Sequence, residues 1–136
     1  LEQELTLRGL IIAGAIGLMT AFPATAQMFE AENGVNVVGN SAGFTVQGGG
    51  GFGARGMWCA AGDYALRVSG AATAQRLFVA NGSSGRNTAM FTLNAAELTP
   101  MSAALLGTSV SRPGSNLTVG HAISFCADHK LTRSNR

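Results

Sequence analysis

The chain has 136 residues, 12% of them charged, with a formal net charge of +2, 19 glycines and two cysteines. That length holds one domain core and not two. The small basic excess forms no stripe interleaved with aromatics, which argues against a nucleic-acid binder.

The first 26 residues stand apart from the rest. Gly9 to Phe22 is an uncharged run of fourteen residues. That is short of the roughly 20 that span a bilayer core as a helix, and it suits the apolar centre of a secretory signal peptide, usually about 7–15 residues. Pro23 breaks the helix because it lacks an N–H and clashes with the preceding turn. Ala24-Thr25-Ala26 then presents the small-x-small pattern of a cleavage site, so cleavage is expected before Gln27. The leading LEQELTLR is near neutral, where a positive stretch is usual. The expected organisation is a signal peptide over 1–26 and a single exported domain over 27–136, secreted or periplasmic. Membrane contact is expected only through the leading segment before cleavage.

Gln27 to Gly34 reads as a loose, polar lead-in. Val35 to Val38 is a β-branched run bounded by turn residues, and Phe44 to Gln47 alternates apolar and polar. The two are expected to form a hairpin. Gly48 to Gly56, six of whose nine residues are glycine, reads as an internal loop. Met57 to Val68 is the best helix, with Met57, Ala61, Tyr64, Ala65 and Val68 on one apolar face and Cys59 in its first turn. Gly62 weakens that helix by about 1 kcal/mol relative to alanine. Arg76 to Ala80 and Thr88 to Leu93 read as strands joined by a glycine-rich turn. Asn94 to Leu98 reads as one helical turn capped by Asn94, with Glu97 three residues on. Leu105 to Val110 and Leu117 to Phe125 read as two further strands, and Lys130 to Arg136 as a frayed tail. Strands that follow one another in this way predict an α+β fold: one helix packed on an antiparallel sheet of about four to six strands. Cys59 and Cys126, an even pair in an exported chain, are expected to form its one disulfide.

Four patterns bear on chemistry. Gly39-Asn40-Ser41-Ala42-Gly43 matches G-x-S-x-G, and Asp63 and His121 follow in the order of a serine hydrolase. A strand-like segment follows Ser41, however, where a nucleophile elbow needs a helix. Gly48 to Gly53 satisfies G-x-G-x-x-G but lacks the surrounding βαβ unit and the downstream acid, so no dinucleotide or other cofactor is expected. His121, Cys126, Asp128 and His129 are residue types that zinc accepts, at spacings it does not favour, so no metal is expected. Trp58 and Tyr64, the single Trp and Tyr, read first as core packing; with Arg67 they are the candidates for a binding face. Asn81-Gly82-Ser83 and Asn116-Leu117-Thr118 match the glycosylation pattern of a eukaryotic secretory route.

These readings favour a non-catalytic exported module (envelope-associated, adaptor or inhibitor-like) that meets another protein or an anionic envelope polymer by surface contact. The alternative is a small secreted hydrolase using Ser41 or Asp63 with His121.

Overall fold

The computed structural model describes residues 17, 28–40, 42–81, 88–94, 96, 98 and 109–134. The expected signal segment therefore lies outside the described residues, save Gly17. So do Ser41, the turn at 82–87, Glu97, and the first part of the strand expected from Leu105.

Among the described residues six strands form one antiparallel sheet: β1 (Met28–Glu30), β2 (Asn36–Asn40), β3 (Gly43–Gln47), β4 (Arg76–Asn81), β5 (Thr88–Thr92) and β6 (Asn116–Thr118). Their spatial order is β1-β2-β3-β5-β4-β6. The expected hairpin is β2–β3, with Val37 opposite Val46 and Asn40 opposite Gly43. Asn40 shapes its turn, its Oδ1 accepting the N–H groups of Ala42 and Gly43 at 2.9 and 2.8 Å. The polar lead-in is not loose. Met28–Glu30 pairs with β2, placing Phe29 opposite Val37 on the core side.

Helix α1 (Gly53–Arg67) connects β3 to β4. Since β5 is antiparallel to both strands, β3 and β4 run in the same direction astride it, a split β-α-β arrangement. The side chains of Val37, Val46 and Ala89 form one row across the inner face, and those of Phe44, Phe91 and Val79 the next. All six are buried, with α1 against them. The helix begins at Gly53, four residues before the sequence suggests, so the glycine loop is shorter and Cys59 lies in the second turn.

The largest departure is at the C-terminus. Leu117 to Phe125 is not one strand: β6 stops at Thr118, and helix α2 (Val119–Ser124) follows. Thr118 caps it, its Oγ1 accepting the His121 N–H at 3.1 Å. Val119, Ala122, Ile123 and Cys126 turn one helical face toward the core, and that spacing outweighs the weak alternation. Helix α3 (Ala127–Ser134) occupies the segment expected to fray. Two ion pairs fasten it: Arg55 Nε and Nη2 to Asp128 at 2.8 and 3.1 Å, and Lys130 Nζ to Glu32 at 2.7 Å.

Helix α1 is buried almost continuously from Gly56 to Asp63 because it lies between the sheet and α2. Gly62 makes that approach possible. A Cβ there would sit 3.0 Å from Ala122 Cβ and 3.1 Å from the Ile123 backbone nitrogen. Cys59 and Cys126 close the pair of helices with the expected disulfide, Cα to Cα 5.0 Å. The fold is α+β, with α2 and α3 added to the one expected helix. The disulfide points to an oxidising, extracytoplasmic environment. Among the described residues no helix is long and apolar enough to cross a membrane.

Candidate functional site

Asp63, on α1, is the one buried acid among the described residues, 6% exposed. Its carboxylate is fully engaged. Arg67, one turn later, donates from Nε to Oδ1 at 2.6 Å and from Nη2 to Oδ2 at 2.5 Å, and the Glu32 N–H reaches Oδ2 at 2.7 Å. The hydrogen bonds and negative charge of Asp63 raise the Arg67 guanidinium above its ordinary value. Arg67 also lies over the Phe29 ring, 4.7 Å from its centroid. Phe29 meets Tyr64 edge-on at 5.5 Å, and Tyr64 packs on Phe44 at 4.5 Å. This cluster clamps the β1–β2 turn onto the C-terminal half of α1. Asn33, which the sequence did not single out, adds a second tie, donating from Nδ2 to the Gly56 carbonyl at 2.9 Å.

The structure separates the other candidates. His121 sits exposed on α2, its ring 5.3 Å from that of Phe125. Among the described residues no hydrogen bond or ion pair joins it to Asp63. Trp58 cannot belong to a binding face. It is 0% exposed and packs edge-on against Phe91 at 5.0 Å, because its turn of α1 faces the sheet. Tyr64 and Arg67 do come together, around Phe29, and of the three only Arg67 is well exposed. Among the described residues no group of three His, Cys, Asp or Glu could hold a metal. Asn116, in a glycosylation pattern, is buried on β6 and donates to the Gly114 carbonyl at 3.0 Å.

A different surface places a guanidinium and an imidazole together in a concave setting. A cavity of about 420 Å³ lies between the glycine loop and α3, lined by Gly50, Gly51, Phe52, His129, Thr132 and Arg133. Residues 129, 132 and 133 share one face of α3, at the spacing of successive helical turns. The ion pairs that fasten α3, together with Arg55 lying 4.8 Å from the Phe125 ring centroid, hold that face opposite the loop. Sequence patterning had no means of joining these residues, since the loop and α3 are far apart in the chain.

A small α+β domain, closed by one disulfide and carrying a basic cavity at its C-terminal helix, is the class these features define. The chain matches no protein-family model, no curated protein and no solved structure.

Proposed function

We propose that this chain is exported, loses its leading 26 residues after Ala26, and serves outside the cytoplasm as a non-catalytic binding module. Its mode of action is surface contact with an anionic envelope polymer. The observation that carries this reading is the state of Asp63. The acid best placed for catalysis spends both oxygens on Arg67 and the Glu32 N–H, so it serves as structure and not as a general base. The disulfide supports the extracytoplasmic part.

The test runs two assays on the purified oxidised domain. The first measures hydrolysis of ester, peptide and glycoside substrates by the parent protein, Asp63→Asn and His121→Ala. The second measures retention on an anionic and on a neutral polymer over a range of salt. The expected result is no turnover in any variant and retention by the anionic polymer alone, falling as salt rises. Turnover that disappears in Asp63→Asn or His121→Ala would replace the binding module with the hydrolase.

A further inference from the structure

We propose that the cavity between the glycine loop and α3 binds a phosphate-type oxyanion, held by the side chains of Arg133 and His129. The inference rests on the binding-module reading and gives its anionic partner a place and a chemistry.

The side chains fit that ligand. Arg133 presents a planar guanidinium, which pairs with phosphate through two parallel hydrogen bonds, and His129 supplies an imidazole N–H one turn away on the same helix face. Thr132 lines the cavity but donates its hydroxyl to the Asp128 carbonyl at 3.1 Å, so it shapes the wall without serving as a donor.

The charge balance around α3 points the same way. Both neighbouring carboxylates are taken, Asp128 by Arg55 and Glu32 by Lys130. Among the described residues no carboxylate lines the cavity. Among the described residues neither Arg133 nor His129 has an ion-pair partner. A guanidinium without a counter-ion at a concave surface concentrates anions there.

The facing wall is formed by Gly50, Gly51 and Phe52. A Cβ at Gly51 would meet nothing within 4 Å, so a ligand can come close to the main chain there, whereas a Cβ at Gly50 would lie 3.2 Å from the Asn33 carbonyl oxygen and from Val35 Cγ2. The N–H groups of Gly50 and Gly51 donate to no carbonyl among the described residues, which leaves them available to oxygen. At about 420 Å³ the cavity is larger than one phosphate group, so the oxyanion is expected to belong to a larger molecule. A soluble phosphate ester and a lipid headgroup share that chemistry.

The experiment is an amide-resolved NMR titration of the oxidised domain with inorganic phosphate, against sodium chloride at matched ionic strength. It is paired with sedimentation on vesicles of phosphatidylcholine with and without phosphatidylglycerol. Saturable shifts are expected at Gly50, Gly51, His129 and Arg133. Arg133→Gln should weaken them roughly tenfold, the effect of losing one charged hydrogen-bonding partner, and Arg112→Gln should leave them unchanged. Because α3 buries no side chain, Arg133→Gln is expected to keep the parent spectrum elsewhere. Phosphate binding without sedimentation assigns the site to a soluble phosphate; sedimentation that needs both phosphatidylglycerol and Arg133 assigns it to a headgroup. Shifts that never saturate, that spread evenly over Arg67, Arg76 and Arg112, or that persist in Arg133→Gln overturn the site. That failure, with hydrolysis still absent, removes this inference alone. Turnover dependent on Asp63 or His121 removes the reading beneath it.

Discussion

Breaking the Cys59–Cys126 bridge should remove a large share of the domain's stability. The bridge joins residues 67 apart in sequence. In the chain-entropy account, a loop of that size restricts the unfolded ensemble by about 4 kcal/mol at 25 °C. A domain of this class has roughly 5–15 kcal/mol in all. Each kcal/mol moves the melting temperature of a small domain by about 4–8 °C, so the expected loss is roughly 15–30 °C. Cys59 and Cys126 are 0% and 3% exposed, so reductant reaches them only when the domain opens. The reduced protein is therefore prepared unfolded and compared with Cys59→Ala/Cys126→Ala in urea, following the fluorescence of the single, buried Trp58. The double variant also loses two sulfur atoms from the core and should be the less stable of the two. Both should show a lower midpoint and a steeper denaturant dependence, because the untethered chain exposes more surface on unfolding. A loss below about 1 kcal/mol with an unchanged slope would mean that the tether is not what limits the unfolded chain.

Three further substitutions probe particular contacts. Gly39→Ala puts a Cβ onto the Tyr64 hydroxyl and 3.3 Å from Tyr64 Cζ. It should cost about 1–3 kcal/mol by overpacking, and adding Tyr64→Phe should restore much of the loss; strictly additive effects would deny the clash. Thr118→Ala should cost about 1 kcal/mol by uncapping α2 while Thr118→Ser keeps the cap, and equal melting of the two variants would show that the cap contributes nothing. Ser115 is 1% exposed and its Oγ has no hydrogen-bond partner among the described residues. Ser115→Ala should therefore be neutral or stabilising by up to about 1 kcal/mol, and marked destabilisation in a melt would reveal a satisfied hydroxyl.

The parts of the fold legible in the sequence are those with strong local signals. Turn residues bracket Val35 to Val38 and Phe44 to Gln47, so the hairpin was readable with its turn. The helical period of Met57, Ala61 and Ala65 marked α1, and the expectation of export made the cysteine pair readable as a disulfide. What escaped depends on distant partners. Met28-Phe29-Glu30 has no pattern of its own and becomes a strand because β2 offers it an edge and Phe29 a place against Tyr64. Leu117 to Phe125 fits both an alternating and a helical period, and the Thr118 cap decides between them. Helix α3 is polar and buries no side chain, and its pairing with Arg55 and Glu32, distant in the chain, fastens it. The candidate site shows the same division. The pairing of Asp63 with Arg67 is implicit in their four-residue spacing on a helix. Burial of that acid beneath the β1–β2 turn is not implicit in any local pattern, and neither is the meeting of Gly50 and Gly51 with His129 and Arg133.

If the chain works as an exported, disulfide-closed domain, an intact mass spectrum of the protein recovered from an exporting host should show a mass beginning at Gln27 and lighter than the reduced chain by the two thiol hydrogens lost on forming the Cys59–Cys126 bond. A mass that retains the residues before Gln27, with both thiols reduced, would contradict it.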